Sequence, residues 1–198
     1  MIKSGLFILF SLVSLLALPA QAQLDPILKA EAALQKIKTL QADFTQISSD
    51  GQATTGRLYL RRPFQMRIDY AEDNGLSLVA TKIWLHVDDK IQKDVTSYPI
   101  SETPFAPILQ EQVILRSGDF DTSLAQGSGV VQITLAKETG EAAGKLVLEF
   151  DADSYQLRRW IIEDAVGVQT IITLQNIIYD QPLKNALFAT PAYDVVEN

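Results

Sequence analysis

From residue 42 to residue 179 the chain is written in twos. Apolar and polar side chains alternate through ADFTQIS, TGRLYLRR, FQMRIDY, LSLVAT, KIWLHVD, KIQKDV, EQVILRS, VVQITLA, KLVLEFD, YQLRRWII and VQTIITLQNIIY. A period of two sends successive side chains to opposite faces of a strand, so each segment has one greasy face and one wet one. The connectors carry turn residues, as in EDNG (72–75), TGEAAGK (139–145), DADS (151–154) and DQP (180–182). About eleven short strands joined by tight turns predict a mainly β chain, an antiparallel meander curled into a barrel or half-barrel.

One stretch breaks the alternation. In LYLRRPFQMRIDY (58–70), Leu58, Leu60, Phe64, Met66, Ile68 and Tyr70 share one parity, while Arg57, Tyr59, Arg61, Gln65, Arg67 and Asp69 share the other. Arg62 has the parity of the apolar set. Two readings follow. Pro63 ends the strand and makes Arg62 an ordinary charged turn residue. Or Arg62 points inward and donates to carbonyls of a covering element, because a buried guanidinium left without partners costs several kcal/mol.

Two elements fall outside the β pattern. Asp25 and Pro26 read as an N-cap with proline at the first helical position. Ile27, Ala30, Leu34, Ile37 and Gln41 then form a stripe, with Ala33 and Leu40 beside it, predicting an amphipathic helix of roughly four turns. SETPFAPILQEQ (101–112) holds two prolines and an apolar cluster, which suits a loop with a short helical piece. Helix and insert are two covers for one mouth of a curled sheet.

The start of the chain bears on compartment. Lys3, the apolar run LFILFSLVSLLAL and Ala20-Gln21-Ala22 form the three parts of a secretory signal, so residues 1–22 read as a cleaved leader and Gln23 as the mature start. The run from Gly5 to Leu18 is short for a bilayer span and Pro19 follows it. Residues 23–198 are expected to fold as a single domain. There is no cysteine, so the fold must rest on its core without disulfides, and no thiol is present for a lipid anchor. Loss of Lys3 with the leader leaves 16 basic against 24 acidic side chains, a balance of −8. That sign argues against nucleic acid as a partner, since phosphate binding needs a basic face.

Catalysis has no foothold here. His86 is the only histidine, and one imidazole does not make a two-histidine metal site. A nucleophilic serine would need a strand-to-helix elbow; the nearest approach is GSG (127–129), placed in a turn. Paired carboxylates (Asp88 with Asp89, Glu163 with Asp164, Asp151 with Asp153) fall at strand ends and turns and read as solvated rims. No glycine-rich loop precedes a helix, so no nucleotide, metal or other cofactor is expected. The remaining reading is a container, a curled sheet with an apolar concave face.

At these residues the chain resembles the outer-membrane lipoprotein carrier family, LolA. The resemblance is carried by Phe44-Thr45-Gln46 after a helix, by GRLYLRRP (56–63), and by MRIDY (66–70), where the family tends to show F-R-W-x-Y. Further on it is carried by Ile83-Trp84-Leu85 with Thr103-Pro104-Phe105 downstream, and by a tail of Phe150-Asp151, Ile162, Asp164, Gly167, Thr170, Asn176, Phe188 and Pro191. These blocks span nearly all of the chain after the leader, in order.

The resemblance implies an unclosed antiparallel barrel whose N-terminal helix and short helical insert form a lid over an apolar cavity. It implies a monomeric, non-enzymatic periplasmic chaperone. Such a chaperone binds the acyl chains of lipoproteins released by an inner-membrane ABC transporter complex and carries them to an outer-membrane receptor. Arg62 matches the position of the family's lid latch. The acyl cavity would be lined by Leu58, Leu60, Met66, Ile68 and Tyr70 from the sheet, Phe105 and Ile108 from the insert, and Leu34 and Ile37 from the helix. Met66 and Ile68 stand where aromatics are usual, and the turn before Trp84 is about two residues shorter than the family pattern, which alters cavity shape and rim. An alternative keeps the fold as a periplasmic module that senses lipid or lipoprotein.

Overall fold

A computed structural model describes residues 24–71, 74–140 and 143–193; the segment read as a leader lies outside the described residues. The chain opens with a helix, α1 (Pro26–Lys36), where the Asp25 carboxylate accepts from the Ile27 N–H at 2.9 Å and Pro26 occupies the first position. Its buried face is Ile27, Ala30 and Leu34. The helix is shorter than its apolar stripe suggests. It stops after Lys36, Ile37 is already extended, and Leu40 and Gln41 belong to the first strand. There Leu40 and Ala42 bury on a period of two, and the strand pairs on both sides, which outweighs one more helical turn.

Eleven strands follow. β1 (Thr39–Ser48), β2 (Ala53–Arg61), β3 (Gln65–Tyr70), β4 (Leu76–Ala80), β5 (Trp84–Asp89) and β6 (Asp94–Pro99) form one meander. After a short helix, α2 (Ala106–Leu109), come β7 (Asp121–Gly127), β8 (Val130–Lys137), β9 (Gly144–Asp151), β10 (Leu157–Asp164) and β11 (Gln169–Tyr179). They make one antiparallel sheet of order β6-β5-β4-β3-β2-β1-β11-β10-β9-β8-β7. The first and last strands meet in the middle, and the outer edges, β6 and β7, do not pair with each other. The barrel is unclosed, and the stretch from Ile100 to Phe120 connects its two free edges.

Two expected strands move. Lys90 to Lys93 form a turn rather than the start of a strand, because Asp89 accepts from the N–H groups of Ile91 and Gln92, each at 2.9 Å. EQVILRS (111–117) is not a strand. Its N–H groups go to side chains of α1: Glu31 Oε1 accepts from Leu115 at 2.7 Å and Gln35 Oε1 from Val113 at 2.9 Å. The strand is instead DTSLAQG, an edge exposed along most of its length, with no apolar alternation to mark it.

The core fills the concave face. Leu40, Leu58, Met66, Leu115, Ile133, Leu148 and Phe150 are among its most deeply buried side chains. The outer face near β2 and β3 is covered by the returning tail. There Phe188 buries beneath Arg61, whose guanidinium carbon lies 4.4 Å from the ring centre, and Arg67 Nη1 donates to the Leu187 carbonyl at 3.2 Å. Tyr193 donates to Asp88 at 2.5 Å, a bond that pushes the phenol's pKa up to about 12. Asp88 is therefore buried between Ser77 and Tyr193 rather than on a solvated rim.

Gly56 in β2 marks a close approach. A Cβ there would collide with the Asp69 carbonyl oxygen and come within 2.6 Å of the Phe44 ring. The backbone oxygen is fixed by strand pairing, so it has nowhere to go. Gly56→Ala is expected to cost about 1–3 kcal/mol, the usual range for overpacking, and to lower the thermal midpoint by several degrees in a melting curve followed by circular dichroism.

Candidate functional site: a lidded cavity

The connection between the free edges folds back across the concave face. Thr103 caps its first short turn by donating from Oγ1 to the Ile100 carbonyl at 2.8 Å. Beyond it Phe105, Ile108, Leu109, Val113 and Leu115 all bury against the sheet. This segment is the lid, and it is tethered at both ends.

Arg62 meets it. β2 ends at Arg61, so Arg62, Pro63 and Phe64 form the hairpin turn and strand parity does not extend to Arg62. The turn nonetheless delivers the guanidinium to the lid, and both readings of the sequence meet in one residue. Nη1 donates to the Ile108 carbonyl at 2.7 Å, and Nη2 to Gln110 at 2.7 Å and Glu111 at 3.4 Å. The Phe64 N–H takes the Leu109 carbonyl at 2.7 Å. Consecutive carbonyls at the end of α2, left without helical partners, are thus all claimed by one turn. Among the described residues Arg62 has no carboxylate partner and its Nε finds no acceptor. Burial pulls its pKa below the ordinary guanidinium value.

Two further clips come from α1. Gln35 Nε2 donates to the Glu111 carbonyl at 2.9 Å, and Glu31 and Gln35 hold Leu115 and Val113 as described. These residues, four apart on one flank of the helix, were not singled out in the sequence. Their spacing beside Ile27, Ala30 and Leu34 places them there, but the partner segment reads as a strand.

Beneath Phe105 lies a cavity of about 210 Å³ lined by Phe44, Gln46, Leu58, Ile68, Tyr70, Phe105, Trp160, Ile162, Thr170 and Ile172. Of the expected lining, Leu58, Ile68, Tyr70 and Phe105 are brought together here. Leu60, Met66 and Ile108 are buried in the core outside it. Leu34 and Ile37 are not brought to it. They face a separate, more open groove of about 730 Å³ beside Tyr155, Leu157 and Tyr179. The six lining residues missed in the sequence sit on β1, beside β2, and on β10 and β11, which reach this wall because β1 pairs with β11.

The cavity wall is ordered by aromatic contacts. Phe44 meets Tyr70 edge-on with centroids 5.4 Å apart, and Phe105 meets Trp160 edge-on at 6.4 Å. Tyr70 donates to Gln46 Oε1 at 2.9 Å, and burial raises the phenol's pKa. The Trp160 indole N–H is buried and finds no acceptor among the described residues. His86 lies away from this cavity, with Nδ1 2.8 Å from Ser97 Oγ across β5 and β6. Among the described residues no cluster of His, Asp and Glu converges to hold a metal ion, and no helix is long and apolar enough to cross a membrane.

A half-barrel with an apolar concave face, an internal cavity and a tethered lid defines the class of lidded containers. Within that class, residues 35–191 match the family described as outer membrane lipoprotein carrier protein LolA, and the chain belongs to that family. Among curated relatives, it is 27% identical over 195 residues to the outer-membrane lipoprotein carrier protein of Azotobacter vinelandii, covering 91% of each chain. It is 27% identical over 171 residues to the protein of the same name from Pseudomonas syringae, covering 82% of this chain and 79% of that one. An uncharacterised conserved protein from Thermus thermophilus shares the fold at a TM-score of 0.54 and 11% identity, over 83% of this chain and 92% of that one.

Proposed function

We propose that this chain is a periplasmic chaperone that takes the acyl chains of lipoproteins into its cavity. It receives them from the inner-membrane releasing ABC transporter complex and delivers them to an outer-membrane receptor. In this reading residues 1–22 are a leader, the mature domain begins at Gln23, and the protein works as a monomer without cofactor. A lipid chain of about 15 methylenes costs on the order of 12 kcal/mol to expose to water, so it does not cross an aqueous compartment unshielded. A carrier must cover it and still let it go.

The observation that carries the reading is the lid held by neutral acceptors. Arg62 is a half-buried cation bonded to carbonyls and, among the described residues, to no carboxylate. Hydrogen bonds to a charged group contribute about 1.5–3 kcal/mol net, enough to favour the shut state and small enough to be broken by an entering acyl chain. As wall and cover, Leu58, Ile68, Tyr70 and Phe105 make first contact with the chain. Leu60, Met66 and Ile108 would be reached once the lid moves, and Leu34 and Ile37 would extend the apolar surface on the far side of α1.

The test is release. Residues 23–198, incubated with energised spheroplasts, are expected to yield a soluble one-to-one complex with lipoprotein in the supernatant. Lipoprotein that stays with the spheroplasts, while a carrier of proven activity removes it from the same cells, would overturn the proposal.

A further inference from the structure

Trp160, a residue of the lidded cavity's wall, carries a donor with nothing to donate to. It sits on β10 at 2% exposure, and its Nε1–H meets no acceptor among the described residues. Its cross-strand neighbours, Leu148 on β9 and Ile172 on β11, offer only hydrocarbon side chains. Buried N–H groups in folded proteins are almost always paired, because burial removes water without replacing it. A wall built only to touch hydrocarbon needs no indole nitrogen.

The other polar groups on the wall point the same way. Tyr70 donates to the oxygen of the Gln46 carboxamide, which leaves its NH₂ as the donor end, and Thr170 adds a hydroxyl. The wall thus sets the N–H donors of Trp160 and Gln46 among apolar side chains, with the Tyr70 and Thr170 hydroxyls as further polar groups. Its complement is a long hydrocarbon that carries a hydrogen-bond acceptor. Phe105 of the lid packs edge-on against Trp160, so withdrawal of the lid uncovers one side of the indole.

We infer that the Trp160 indole N–H, on the same cavity wall as Gln46 and Thr170, receives the ester or amide carbonyl oxygen of the acyl chain. Trp160 then sets both the depth at which the chain is held and a preference for acyl over plain alkyl chains. This rests on the proposal that the cavity takes acyl chains, and it adds a polar reader to what is otherwise a greasy slot.

The test uses the chain from Gln23 onward, which holds every described element, and two probes: 1-decanoylglycerol and its ether analogue 1-O-decylglycerol, both below their micelle concentrations. The chain has two tryptophans, so a nitrogen-labelled sample gives two indole N–H signals, with the exposed Trp84 as the internal control. Both lipids are expected to bind, the ester roughly threefold to tenfold more tightly, as one added neutral hydrogen bond allows. Only the ester should move the Trp160 indole proton downfield. Trp160→Phe is expected to weaken the ester more than the ether, so that the ester's advantage shrinks to parity whatever the change in ether affinity. Should the variant fail to fold, the signals of the unsubstituted chain decide alone. Equal affinity with no downfield shift overturns the role of Trp160 and leaves the carrier reading standing. Binding of neither lipid to a chain with a cooperative melting curve overturns both.

Discussion

Arg62→Leu is expected to keep an acylated cargo roughly ten to a hundred times longer than the unsubstituted chain does, from the ~1.5–3 kcal/mol of a charged hydrogen-bond set. The direction follows from which state the arginine favours. Its bonds to Ile108 and Gln110, each 2.7 Å, exist with the lid shut. An entering chain has to displace them, so their loss strengthens apparent binding and slows delivery by the same factor. Arg62→Lys should fall between, since one ammonium does not span two carbonyls as a planar fork does. Transfer from a preformed complex to receptor-bearing membranes measures the effect. Release at the unsubstituted rate would remove Arg62 from the mechanism.

Chain length should reveal the same latch without any substitution. The cavity of about 210 Å³ has room for roughly seven methylenes, taking each as near the ~30 Å³ share of a water molecule. Saturated monoacylglycerols from six to sixteen carbons are therefore expected to gain affinity threefold to fourfold per carbon at first, from ~0.8 kcal/mol per methylene. Near eight carbons the rise should stall while the lid is displaced, then resume. In Arg62→Leu the stall should shrink or vanish. Calorimetric titration of the series is the measurement, and one straight line through all lengths in the unsubstituted chain would show that the lid does not gate entry.

The β architecture was legible because alternation is local. A strand with one buried face writes its period into the residues themselves, as β2 and β3 do in Leu58, Leu60, Met66 and Ile68. β7 was invisible for the converse reason: exposed along most of an edge, it has no buried face to mark. Val113 and Leu115 alternate and bury as a strand's residues do, yet their N–H groups are claimed by Gln35 and Glu31, and side-chain acceptors leave no trace in hydropathy. At Arg62 the unusual parity was readable, but its geometry belongs to the hairpin turn.

The cavity was legible by halves. Leu58, Ile68, Tyr70 and Phe105 followed from parity and family pattern. Phe44 and Gln46 lie on β1, beside β2, at the parity of Leu40 and Ala42, whereas Trp160, Ile162, Thr170 and Ile172 depend on the pairing of the first strand with the last, which no local pattern encodes. Leu34 is a core position and Ile37 a half-buried one on the same helix stripe, and only the packed structure shows that both border a different groove.

That central seam also sets an order of assembly. Leu40 stands opposite Tyr179 and Ser48 opposite Thr170, so β1 must find its second neighbour at the far end of the chain. The first meander, β1 to β6, has local turns and can form early. Pairing across the seam must wait for nearly the whole chain, and pairings between residues so distant in sequence make folding slow. Meanwhile the outer side of β1 is a bare edge with Leu40, Ala42 and Phe44 on one face, a template for pairing with other chains. Until β11 docks, the unfinished sheet needs the kind of shielding that the finished one is built to give.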